Sequence, residues 1–62
     1  MNVNVGDIIV ILQMKSEPNY EGKLGRVELI DDQGQIHGTW GGLAIIPSED
    51  KFQVIQKAKV GK

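Results

Sequence analysis

Turn-forming residues punctuate this chain at short intervals, and that constrains its fold more than any other feature. Gly6, Pro18, Gly22, Gly34, Gly41-Gly42 and Pro47 interrupt it repeatedly. No window repeats apolar residues at i, i+3, i+4 and i+7 across ten or more positions, so helix signals are nearly absent. β-branched and apolar runs alternate with turn residues instead, which is the all-β pattern.

The runs can be placed one by one. Gly6-Asp7 opens a first strand, Ile8 to Met14. Lys15 to Gly22 is a long loop, since Pro18 lacks an N–H and fixes φ while Gly22 permits positive φ. Leu24 to Ile30 is a second strand. Asp31-Asp32-Gln33-Gly34 is a hairpin turn. Gln35 to Trp40 is a third strand, and Gly41-Gly42 a tight hairpin. Leu43 to Ile46 is a fourth strand, ended by Pro47. Pro47 to Lys51 reads as a single 3₁₀-like turn, in which Asp50 is expected to act as a cap. Phe52 to Gln56 is a fifth strand. This outlines a small five-stranded SH3-like barrel with a single 3₁₀ turn before the last strand. Closing the sheet hides both its apolar face and its edges.

Parity along the strands predicts the core. Ile36, Gly38 and Trp40 share one face of the third strand, and His37 and Thr39 the other. Gly38 leaves room for the indole or marks a bulge. Gly25, Val27 and Leu29 share a face of the second strand. Leu43, Ile45, Phe52 and Val54 complete the core. In the first strand the set Ile8, Val10 and Leu12 competes with Ile9 and Ile11. Either both faces are covered or one awaits a partner.

A chain of 62 residues is one domain at most. It buries only about 60% of the surface its unfolded form exposes. The stability expected is on the order of 3–5 kcal/mol. It has no cysteine, and His37 is the only histidine, so disulfides, thiolate sites and a histidine-based structural zinc site are excluded. The expected domain is residues 1–56, with 57–62 a basic, disordered tail. The start lacks a basic n-region followed by a long apolar stretch, and the longest apolar run, Ile8 to Leu12, is too short to span a bilayer. A cytoplasmic location, with no membrane partner, is the expectation.

Charge is unevenly spread. All eight acids precede Lys51 and meet only Lys15, Lys23 and Arg26, whereas Lys51 to Lys62 holds four lysines and no acid. A nucleic-acid binder more usually carries its positive charge on the folded face.

The residues Gly34-Gln35-Ile36-His37, then Trp40, Gly42, Leu43, Ile45, Pro47, Asp50 and Phe52, resemble a family of short bacterial proteins of unknown function. Val5-Gly6-Asp7 and Gly22-Lys23-Leu24-Gly25-Arg26-Val27 are similar to its opening. The resemblance runs from about Val5 to Ile55. It implies an SH3-like barrel with Ile9 and Ile11 inward, and no activity. The chain departs from the pattern at Gly38, where an apolar or bulky residue is expected, and at Gly41, where an acid is expected. Gly22 to Val27 is also similar to the KOW-type motif of ribosomal and transcription-factor barrels.

The chemistry-bearing residues form no constellation. His37 has no nucleophile placed beside it, and its plainer role is a hydrogen bond to a neighbouring strand or loop. Glu28, Asp31 and Asp32 lack the spacing of a calcium loop. Gly41-Gly42 has no Lys-Ser/Thr ending or helix behind it, so it is no phosphate loop. A proline-peptide groove needs several exposed aromatics, and this chain has three in all. An enzyme is not expected, because a core this small is too small for a pocket of several hundred Å³. Neither a cofactor nor a metal is expected. The first reading is a non-enzymatic protein-interaction module, binding a protein partner or itself through Ile8, Val10, Leu12, Tyr20 and His37. The alternative is a weak nucleic-acid-associated, KOW-like barrel using Lys23, Arg26 and the tail lysines Lys57, Lys59 and Lys62.

Overall fold

A computed structural model describes residues 3–59. Its strands are β1 (Ile8–Gln13), β2 (Leu24–Ile30), β3 (Ile36–Gly38) and β4 (Lys51–Gln56), with a 3₁₀ helix, η1, at Pro18–Tyr20. They form one antiparallel sheet in the order β3-β2-β1-β4. The protein is therefore small and all-β, as the turn spacing requires.

β1 is central. It pairs with β2 from Ile8↔Arg26 to Val10↔Leu24, and with β4 from Ile8↔Gln56 to Gln13↔Lys51. The second half of β2 then turns to β3, pairing Val27↔Gly38 and Ile30↔Ile36. Ile9, Ile11, Met14, Val27, Ile36, Trp40 and Ile45 form the buried core, with Ile30, Phe52 and Val54 packed against it. Ile9 and Ile11 are the inward set of β1.

Several expectations need correction. Of the expected strand Leu43–Ile46, only Ile45 pairs, through reciprocal hydrogen bonds with Ile36 of 2.9 and 2.8 Å. Gly41-Gly42 is accordingly no two-residue hairpin. The indole of Trp40 turns inward and its Nε1–H donates to Leu43 O at 2.8 Å, which holds residues 39–44 as a loop over the core. Leu43 gives its carbonyl to this contact and leaves its side chain exposed. Leu29 is also exposed, because a register shift between Val27 and Leu29 breaks the alternation and brings Ile30 to the core instead. Pro47–Glu49 is a hydrogen-bonded turn, closed by Glu49 N–H and Asp50 N–H onto Ile46 O, whereas the 3₁₀ helix lies in the first long loop.

The glycines beside Trp40 have a packing reason. A Cβ at Gly25 would lie 2.7 Å from the indole Cε3. One at Gly38 would collide with Arg26 O and with the six-membered ring of Trp40. Two strands thus give up side chains so that one large ring can lie flat between them.

Candidate functional site

Two buried carboxylates organise the ends of the sheet. Asp7 opens β1 and is completely buried. Its Oδ1 accepts from Ala58 N at 2.7 Å, and its Oδ2 from Asn4 N at 2.9 Å and from Lys57 Nζ at 3.0 Å. The Ala58 amide, above all, and the Asn4 amide hold its pKa below the ordinary value, against the opposing effect of burial. Gly6, at φ +97°, faces the same segment closely: a Cβ there would sit 2.9 Å from Ala58 Cβ. The free tail expected from Lys57 onward therefore has its first two residues attached to the body. Lys62 lies outside the described residues.

Asp50 precedes β4 and is 6% exposed. Its Oδ2 accepts from Ile46 N at 2.8 Å, and its Oδ1 from Lys15 N at 2.9 Å. The expected cap is present, and it also ties the end of β1 to the turn before β4. No sequence motif marked Asp7 for burial. An acid flanking an apolar strand, next to a turn glycine, was the one available signal.

His37 sits half-buried on the face of β3 turned from the core. Its Nε2–H donates to Asp31 Oδ2 at 2.9 Å. Asp31 Oδ1 meanwhile accepts from the N–H groups of Gln33 and Gln35, each at 2.9 Å. The His37 bond, and then the Gln35 amide, keep the Asp31 pKa below its ordinary value. The histidine thus closes the β2–β3 turn. Tyr20 is half-buried, packed where a Cβ of Gly41 would collide with it, and Lys23 Nζ lies 5.0 Å over its ring.

The remaining candidates gather on the sheet's outer face. Ile8 and Val10 are partly exposed and Leu12 is 52% exposed. Leu24 and Ile55, at 59% and 51%, extend the patch onto β2 and β4. Arg26 lies in the same row as Ile8 and Gln56. Tyr20 and His37 belong to other regions and do not join this face.

Beside β4 runs an open groove of about 570 Å³, lined by Val3, Leu12, Pro47, Asp50 and residues 51–54. The groove is open to solvent and lies at the surface, outside the core. The groove's one carboxylate, Asp50, has both oxygens engaged by backbone amides. Among the described residues, no three of His, Cys, Asp and Glu come together as a metal-holding group, and no helix is long and apolar enough to cross a membrane.

The fold and this distribution of side chains define a small all-β domain with an apolar outer sheet face. Residues 2–55 match the family model of a domain of unknown function, DUF4314, and the chain belongs to that family. No curated protein and no solved structure matches it.

Proposed function

We propose that this chain is a non-enzymatic, cytoplasmic interaction module built on an SH3-like barrel, which binds a protein through the outer face of β1. The strand order β3-β2-β1-β4, extended beyond β3 by the Ile45 bridge, supports the barrel reading. β2 serves both halves, pairing first with β1 and then with β3. The observation that carries the function is the outer patch of Ile8, Val10, Leu12, Leu24 and Ile55. A small domain gains nothing in its own stability from gathering these side chains on the solvent side, and contiguous apolar patches mark interaction sites.

A photocrosslinking residue placed at Leu12 tests the reading in cells. The expected result is a discrete adduct that is absent with the same probe at Asp32 and is lost when Ile8 and Val10 are replaced by Thr. Equal labelling from both positions would overturn it.

One observation favours a second reading. Arg26 and Gln56 flank Ile8 in a single row, which brings a β2 cation close to the start of the basic tail. Against it, Lys57 is held by Asp7, and the outer face offers no aromatic ring for base stacking. Titration with a mixed-sequence oligonucleotide at low salt, followed by ¹⁵N–¹H spectra, would move the Lys23, Arg26 and Lys59 peaks if this reading holds.

A further inference from the structure

Resting on the interaction reading above, we propose that the partner of the outer sheet face is an apolar protein segment that carries carboxylates.

The argument is the face's charge. β1 is Ile-Ile-Val-Ile-Leu-Gln, the paired part of β2 is Leu-Gly-Arg, and β4 is Lys-Phe-Gln-Val-Ile-Gln. These segments contain Arg26 and Lys51 and no acid, in a chain with more acids than bases. The two acids that border the strands, Asp7 and Asp50, are both buried with their oxygens engaged. They contribute no exposed carboxylate to the face. Glu28, also exposed, follows Arg26 by two residues on β2 and so borders the Arg26 corner, past the last β1–β2 pair.

Arg26 and Lys51 occupy opposite corners. One is level with Ile8 and the other with Gln13, a span of roughly 17 Å along the strand. Between the corners the surface is apolar.

This pattern separates the possible occupants. A second copy docked face to face would bring like charges together. A nucleic acid would meet cations but no exposed ring to stack on. A lipid surface would find two cations and none of the aromatic anchors that interfacial elements use. It would also give β4, an edge strand among the described residues, no strand partner, whereas a peptide backbone can hydrogen-bond to it. Carboxylates at the rim set which partner is accepted, while apolar contact supplies most of the binding.

The test selects random dodecapeptides displayed on phage against the whole chain, then repeats the selection with Arg26→Glu/Lys51→Glu. Dispersed amide peaks confirm that each variant is folded. The expected result is peptides rich in apolar residues and in Asp or Glu, whose binding requires Leu12 and falls when Leu12 becomes Ser. The double charge reversal should weaken them about fivefold and turn the selection towards Lys and Arg. Peptides that need Leu12 but carry no acidic bias would overturn this inference and leave the interaction reading standing. Peptides indifferent to Leu12, or none at all, would overturn both. A dimer by sedimentation that Leu12→Ser dissociates, or binding of phosphatidylglycerol vesicles that Leu12→Ser abolishes, would replace the proposed partner.

Discussion

The two faces of β1 carry nearly the same side chains and lead opposite lives. Ile9 and Ile11 are completely buried, while Ile8, Val10 and Leu12 remain partly or half exposed. The difference comes from the neighbours. Ile9 is flanked by Gly25 and Val54, and Ile11 faces Phe52. Ile8 is flanked by Arg26 and Gln56, and Val10 by Leu24 and Gln53. A strand that is apolar on both faces does not specify its own orientation. Its partners do, through a register in which a slip of one residue would exchange the faces.

The sharpest break in that comparison is truncation on the inward face. Ile11→Ala should cost about 2–5 kcal/mol, from lost burial and the cavity left behind. That approaches the whole stability expected of so small a domain. Urea unfolding followed by Trp40 emission, backed by loss of amide dispersion, reads the effect. An unchanged midpoint would place Ile11 outside the core.

Gly38→Ala tests the same core from the opposite side. The added methyl meets backbone at Arg26 O and the ring of Trp40, neither of which is the yielding end of a flexible chain. About 1–3 kcal/mol of destabilisation is expected. Gly42→Ala, which meets nothing within 4 Å, should be near neutral in the same urea titration. Equal effects at the two glycines would contradict the packing account.

This contrast also measures what the sequence could disclose. β4 reads Lys-Phe-Gln-Val, a clean alternation that makes Phe52 and Val54 the inward pair, whereas β1 is apolar on both faces and only the resemblance implied Ile9 and Ile11 inward. Ile36 was legible by alternation too; the third strand expected to reach Trp40 stops at Gly38, and Trp40 is buried from the loop that follows. Leu29 was not, because one bulge reverses parity and leaves no mark in composition. The strand expected at Leu43–Ile46 shrank to Ile45 because Trp40 Nε1 takes the Leu43 carbonyl, a contact that depends on where the indole lies. The Asp7 clasp joins residues 51 positions apart, beyond any local pattern. Of the residues proposed for partner contact, strand spacing united Ile8, Val10 and Leu12, but Tyr20 and His37 have local partners elsewhere.

A smaller effect should appear with acid. The folded-state pKa values of Asp7 and Asp31 both lie below the ordinary value of 3.8. As pH falls, the unfolded chain takes up these protons first. The stability the two groups contribute is therefore complete above about pH 5 and is lost as pH falls through their folded values. Asp7→Asn should flatten the acid limb of a stability-against-pH curve and speed amide exchange at Ala58. An acid limb as steep as the unaltered protein's would show that Asp7 is not a source of it.

The smallest expected effect on stability lies on the outward face, and it decides the comparison. Leu12→Ser removes a side chain that is half exposed, so unfolding should shift by no more than about 0.5 kcal/mol. Ile11→Ala, one residue away, should cost several times more. If Leu12→Ser costs as much as Ile11→Ala in urea, both faces of β1 belong to the fold and the interaction reading loses its foundation. If Leu12→Ser leaves stability unchanged but abolishes the Leu12-dependent contacts, the faces have separate tasks. One holds the domain together, and the other accepts a small exposure cost that only a partner can relieve.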